Sequence, residues 1–219
     1  MTGGDLNRAM VMFDIDGTLV ASYDFDADCF QAAVYEVLNF NIDTDWRHYR
    51  HVSDSGILNQ IIDEQGLQND RATLIDAVRE AFTRRVADYL SSHPISPVPG
   101  AQDFFDRLRR RDDLDLAMAT GGWCETARLK LQAAGFETDG VPLASSCDHF
   151  DRIEIMKLAE RRCGYSGKGR KTYFGDGPWD RAAAAALGYN FVLVGDRLEY
   201  DQAIADFRDT ELALAYIDF

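Results

Sequence analysis

Two hydrophobic rhythms divide the chain. Met10-Val11-Met12-Phe13 is an unbroken apolar run that stops at Asp14-Ile15-Asp16-Gly17-Thr18, the pattern of a fully buried strand whose carboxyl end opens into a tight acidic turn. From Phe25 to about Leu90 the apolar positions recur at helical spacing instead. Phe30, Val34, Val37 and Leu38 form one stripe, Ile57, Leu58, Ile61 and Ile62 a second, and Leu74, Val78, Phe82 and Val86 a third. No convincing strand falls in this block, so it is predicted as a helical insert. Ser91 to Gly100 carries three of the chain's five prolines and reads as a linker or hinge.

Beyond the linker, helix and strand alternate. Helices are predicted near Ala101–Arg111, Cys124–Ala134, Ile153–Arg162 and Asp180–Leu187, and strands at Leu114–Ala119, Thr172–Phe174 and Phe191–Val194. This alternation implies a parallel sheet covered on both faces, and the first strand belongs with it. The expected fold class is α/β: a Rossmann-like parallel-sheet core from residues 1–20 and 95–219, with residues 21–94 inserted as an α-helical cap domain.

Composition narrows the partners. The 219 residues suffice for one large domain or two modest ones, and 46% hydrophobic residues suffice for a sizeable core. Against 23 basic residues stand 37 acidic ones, a net charge of −14. The average field repels phosphate backbones and anionic membranes, so neither nucleic acid nor a membrane is an expected partner. An anionic substrate would need positive charge placed locally. Cys29, Cys124, Cys147 and Cys163 contain no C-x-x-C pair, which suits buried or half-buried free thiols in a reducing compartment. Met1 to Arg8 is short and polar, unlike a signal peptide, and no apolar run approaches a membrane span. A cytoplasmic location is expected.

Ligands of an open parallel sheet bind beyond the carboxyl ends of its strands. Three apolar runs end there in polar residues: Asp14-Ile15-Asp16-Gly17-Thr18, Thr120-Gly121-Gly122, and Gly175-Asp176-Gly177-Pro178-Trp179-Asp180. Asp151-Arg152 opens a helix 24 residues before Asp176. In this order the set resembles the haloacid dehalogenase (HAD) superfamily, specifically its phosphatase branch. The D-x-D-G-T-L signature is whole at Asp14–Leu19, a strand ends in Thr120, a basic residue starts a helix at Arg152, and a G-D-x-x-x-D turn holds Gly175, Asp176 and Asp180. The helical insert sits where C1-capped members carry their cap, so the resemblance spans nearly the whole chain.

The resemblance implies Mg²⁺-dependent hydrolysis of small phosphomonoesters, similar to that of phosphoglycolate phosphatases. Asp14 would be the nucleophile that forms an aspartyl phosphate, and Asp16 the acid and then the base. The implied Mg²⁺ ligands are the Asp14 carboxylate, the Asp16 backbone carbonyl and Asp176, with Asp180 supporting. Thr120 and Gly121 would hold phosphoryl oxygens, and Arg152 would set a fixed cation beside them. The chemistry asks for the same parts: an in-line nucleophile, a hard cation to screen phosphoryl charge, and an acid for the leaving oxygen. The family more often carries Lys at the third motif. Lys157 is the rival to Arg152, but it lies about 140° further round the helix.

A C1 cap closes over the site and contacts the part of the substrate away from the phosphate. The most polar stretch of this one, Arg47 to Gly56, makes Arg47, His51 and Ser53 candidates for reading a polar or anionic tail. The plainer reading is a solvated loop with a helix cap at Ser53 or Asp54. Trp123 and Trp179 either wall the site or pack in the core. No lysine precedes Lys130, against the Schiff-base chemistry of phosphonatase relatives. Asp16 argues against the metal-free dehalogenases, and Ile15-Asp16 stands where transport ATPases carry Lys-Thr. Two alternatives remain: a phosphotransferase or phosphomutase resembling β-phosphoglucomutase, and a phosphate-binding module without catalysis. The expected partner is a small phosphorylated metabolite, and the chain a monomer or homodimer.

Overall fold

Strand β1 (Ala9–Phe13) sends Val11 and Phe13 to one face of a sheet and Met10 and Met12 to the other, all four without solvent exposure, as the two-residue period of a strand requires. The structure, a computed structural model, describes residues 8–218. Residues 1–7 and 219 of the expected core, and most of the polar amino terminus, lie outside the described residues. Five further strands join the first: β2 (Leu114–Ala119), β3 (Leu143–Ala144), β4 (Lys171–Gly175), β5 (Asn190–Val194) and β6 (Ala203–Ile204). Their order is β3-β2-β1-β4-β5-β6 and every pair is parallel. Four strands match the apolar runs. β3 and β6 do not, because two residues at a sheet edge carry no readable period.

On the Phe13 face pack α4 (Ala101–Arg109), α5 (Cys124–Ala133) and α8 (Thr210–Asp218), the last unforeseen in the sequence. Phe13 stacks on Phe174 at 5.0 Å and meets Phe104, Phe105 and Phe207 at 5.9–6.2 Å; burying each such ring contributes roughly 1.5–3 kcal/mol. The opposite face is covered by α6 (Arg152–Arg162) and α7 (Pro178–Leu187). The change of face falls between β1 and β4, which opens a crevice at their carboxyl ends. Register brings Phe13 level with Met118 and Phe174, so the residues that follow these strands emerge together.

Between β1 and α4 lie α1 (Tyr23–Leu38), α2 (Asp54–Glu64) and α3 (Arg71–Ser92). Their apolar stripes form a separate core around Phe30, Val34, Leu58, Ile61, Val78 and Phe82. Asn39 ends α1 in the left-handed conformation, its N–H returning to the Tyr35 carbonyl. The Ser53 hydroxyl starts α2 by accepting the Gly56 N–H. Trp123, from the loop after β2, is fully buried in this core against Phe30 and Phe82. The chain leaves and re-enters the sheet side by side: Ala21 N–H donates to the Ser96 carbonyl and Val98 N–H to the Leu19 carbonyl. The four cysteines are free, three half-buried and Cys147 exposed. Among the described residues no helix is long and apolar enough to cross a membrane.

Candidate active site

Asp14 follows β1, Asp176 follows β4, and Asp180 lies in the first turn of α7; all three are buried. One oxygen from each lies within 4.8 Å of the other two. Asp180 is held fast, accepting from Arg152 Nη1 (2.8 Å), the Tyr173 hydroxyl (3.0 Å) and the Gly177 N–H (3.0 Å). Asp176 is not. Among the described residues its Oδ2 accepts no hydrogen bond, although Arg197 Nε stands 3.1 Å away in an unaligned ion pair. Burial and then Asp180 push the Asp176 carboxyl up to about 7 against the pull of Arg197 and Arg152. Burial and Asp180 likewise raise Asp14 well above the usual carboxylate range, opposed by Arg152.

Crowded, desolvated carboxylate oxygens short of positive charge, one of them unbonded, fit a hard divalent cation such as Mg²⁺. Gly17 completes this corner: with φ +79° it makes the turn, and a Cβ there would run into the Asp176 side chain.

Thr120, buried after β2, accepts the Gly122 N–H at its Oγ1 (3.0 Å). A Cβ on Gly121 would collide with the Arg152 guanidinium and lie 2.9 Å from the Val52 carbonyl, so this close approach needs glycine. Arg152 opens α6 behind its cap Asp151, whose Oδ1 accepts the Ile153 N–H. Its guanidinium reaches Asp14 (3.3 Å), Asp180 (2.8 Å) and the Val52 carbonyl (3.2 Å). Lys157 instead pairs with Glu154 at the surface. Arg152, rather than Lys157, therefore brings its charge to Asp14.

Asp16 has a partner that the sequence reading missed. Lys130 on α5 has no solvent exposure, and its ammonium donates to Asp16 (2.5 Å) and to Asp26 of α1 (2.6 Å). The Ser22 hydroxyl also donates to Asp16. Burial alone would lower the Lys130 ammonium, but the two carboxylates more than offset it and keep it protonated. Burial still pushes Asp26 up to about 6, Lys130 notwithstanding. A signal existed: Ala127, Lys130, Leu131 and Ala134 share the i, i+3, i+4, i+7 spacing of a buried stripe, where a charged residue needs a partner.

Several of these groups open on one cavity of about 80 Å³. Its lining brings Asp14, Asp16, Asp176, Thr120, Gly121 and Arg152 together with Asp26, Phe30, Trp46, Asp54 and Ile57, and with Tyr23 and Trp179. The start of α2 fastens the helices over it. Asp54 N–H donates to the Gly121 carbonyl and Trp123 N–H to Asp54 Oδ2, both at 2.8 Å. The Trp123 indole N–H donates to Ser55 Oγ (2.8 Å). Burial and then Asp26 raise the Asp54 carboxyl well above its usual range against Lys130.

Of the three residues expected to read a tail, Ser53 lines this cavity, but its hydroxyl is spent on the Phe150 carbonyl (2.6 Å) and the Gly56 N–H. Arg47 and His51 are not brought to it. They face a separate outer groove, Arg47 forked onto Asp45 and His51 beside Asp151 and Phe150. Trp179 is in the wall, while Trp123 serves packing.

The sequence model of the haloacid dehalogenase-like hydrolases matches residues 9–188. No curated protein matches. Solved structures share the fold. CbbY from Rhodobacter sphaeroides, in complex with phosphate, is 18% identical with a TM-score of 0.74 over 97% of this chain and 100% of that one. β-Phosphoglucomutase from Clostridium difficile is 12% identical with a TM-score of 0.70, again over 97% and 100%. A predicted phosphoglycolate phosphatase from Haemophilus somnus 129PT is 17% identical with a TM-score of 0.65 over 98% and 99%. At these identities the likeness is one of fold.

Proposed function

The chain belongs to the haloacid dehalogenase-like hydrolases, and from that premise we propose that it hydrolyses small phosphomonoesters through an aspartyl phosphate on Asp14. The observation that carries this is the separation of two neighbouring carboxylates into different surroundings. Asp14 faces Arg152 and the other two carboxylates of the acidic triad, while Asp16 is held by Lys130 and Ser22. Two environments two residues apart suit two roles.

The Asp14 carboxylate attacks phosphorus as the ester P–O bond breaks, and the Asp16 carboxyl gives its proton to the leaving oxygen. Asp16 then takes a proton from water, whose oxygen attacks the phosphorus and frees Asp14 and inorganic phosphate. Arg152 and the Thr120 and Gly121 corner orient the phosphoryl oxygens. Mg²⁺, held by Asp14, Asp176 and the Asp16 carbonyl with Asp180 in support, would screen the phosphoryl charge. Residues 21–94 act as the cap that excludes water. The substrate this reading calls for is a small phosphorylated metabolite; the structural neighbour CbbY has been crystallised with xylulose-1,5-bisphosphate.

The test is phosphate release from p-nitrophenyl phosphate and a metabolite panel, with Mg²⁺, with chelator, and in Asp14→Asn. Turnover that needs the metal and falls by about 10⁴-fold or more in the variant is expected. Wild-type turnover in Asp14→Asn would overturn the reading, and isomerisation of a hexose phosphate without net phosphate release would replace it with a mutase.

A further inference from the structure

The carboxylates lining the cavity are not equally compensated. Asp14 has Arg152 at 3.3 Å, Asp16 and Asp26 share Lys130, and Asp176 has Arg197 at 3.1 Å. Asp54 lines the same cavity with no ion pair among the described residues; it accepts the Trp123 N–H, and the start of α2 offsets part of its charge. Among the described residues Arg152 is the only Lys, Arg or His in the lining, and it is placed on Asp14 and Asp180. Arg197 lies outside the lining, spent on Asp176 and on the Tyr23 ring, 3.2 Å from its centroid. Phe30, Trp46 and Ile57 line the same cavity as Asp54. Apart from Arg152 the lining is thus acidic and aromatic, and among the described residues it offers no second cation for a negative tail.

We propose that the substrate's leaving group carries an ammonium, the site taking phosphate esters of small amino alcohols with the cation seated between Asp54 and the Phe30–Trp46 wall. The proposal rests on the phosphatase reading, which sets the phosphate at Asp14 and the ester oxygen at Asp16. A protonated amine there makes a charge-assisted hydrogen bond with Asp54 and meets aromatic faces that attract cations. A carboxylate tail, as in phosphoglycolate, would be buried unpaired beside Asp54 and Asp26. The spacing suits a short bridge. One point, the Cβ position of Gly122, lies 3.5 Å from Asp16 Oδ2 and 3.9 Å from Asp54 Oδ2. The two oxygens are therefore within roughly 7 Å, a gap that an O–C–C–N chain spans with a hydrogen bond at each end. The carboxyl without a counter-ion is the one that such a guest would ionise.

The test compares ethanolamine phosphate with its neutral isostere n-propyl phosphate and with phosphoglycolate, all with Mg²⁺. The kcat/KM for ethanolamine phosphate should exceed that for n-propyl phosphate by at least about tenfold, with phosphoglycolate below both. In Asp54→Asn, whose amide oxygen can still accept the Trp123 N–H, the first ratio should collapse to within about threefold. A wild-type ratio of one or less, a preference for phosphoglycolate, or an unchanged ratio in Asp54→Asn would each overturn the proposal. If none of the three esters nor p-nitrophenyl phosphate is turned over, the phosphatase reading fails. Calorimetric binding of the three esters to the Mg²⁺-loaded protein then decides the class: tighter binding of the amine supports the proposal, and equal or weaker binding overturns it.

Discussion

Replacing Lys130 by Met keeps the side chain's length and removes its ammonium, leaving Asp16 and Asp26 facing each other without a cation. Lys130 has no exposure and stands 2.5 Å from Asp16 and 2.6 Å from Asp26, so water cannot replace it. Removing one partner of a buried ion pair costs about 3–5 kcal/mol, most of it the charge left behind. Protonation of Asp26 relieves part of this. Its carboxyl is already at about 6 with the lysine present. A folded value raised above the unfolded one means stability that is lost as pH climbs from about 4 through about 6. Without Lys130 that window extends upward.

Lys130→Met should therefore lose about 3–5 kcal/mol at pH 8 and at least about 1 kcal/mol less at pH 5. The pH 8 loss corresponds to roughly 6–20 °C in Tm for a chain of this size. Urea and thermal unfolding followed by circular dichroism, in chelator at both pH values, measures it. Asp26→Asn in the same background should recover part of the loss in a double-mutant cycle. A loss below about 1 kcal/mol at pH 8, or the same loss at both pH values, would refute the account of Lys130 as the cation of a buried acidic pair.

Metal and pH should be linked. Asp14 and Asp176 hold protons more tightly folded than unfolded, so without metal the stability they contribute falls as pH rises above the usual carboxylate range, for Asp176 from about 4 towards about 7. Mg²⁺ should raise Tm more at pH 8 than at pH 5.5 in scanning fluorimetry against chelator; equal shifts would mean that these carboxylates do not take the ion. Arg152→Lys keeps the charge but cannot reach Asp14, Asp180 and the Val52 carbonyl at once. Its turnover should fall about 10- to 100-fold, measured as phosphate release, and undiminished turnover would show that a point charge suffices.

What the sequence made legible was local. Asp14–Thr18 and Gly175–Asp180 announce themselves because turn, acidity and the end of an apolar run fall within a few residues. Buried parallel strands are legible for a related reason, being continuous in Met10–Phe13 and Phe191–Val194. The rest depends on partners far apart in the chain. Lys130 meets Asp16 and Asp26 across 114 and 104 positions, and only its place on an apolar stripe hinted at a buried role. Arg47 and His51 were singled out for polarity, which says nothing of the direction in which a loop faces; Asp45 and Asp151 hold them elsewhere. Trp123 looked equally suited to wall or core, because its environment comes from Phe30 and Phe82 of the insert. Of Ser53 and Asp54, both candidates for a helix cap, Ser53 is the cap and Asp54 lies just inside the helix.

The paired exit and return of the chain bears on how such a protein can change over evolutionary time. Because Ala21 and Ser96 are joined by a backbone hydrogen bond, and Leu19 and Val98 by another, everything between them hangs from a closed base. Loop-closure entropy grows only logarithmically, by about 0.6 kcal/mol for a doubling of length. Helices can thus be lengthened, shortened or exchanged there without disturbing the order of the six strands. The residues proposed to seat the leaving group, Phe30, Trp46 and Asp54, all lie in that exchangeable stretch, while Asp14, Thr120, Arg152 and Asp176 belong to the part that stays. Selection can act on selectivity and on phosphoryl chemistry as separate traits.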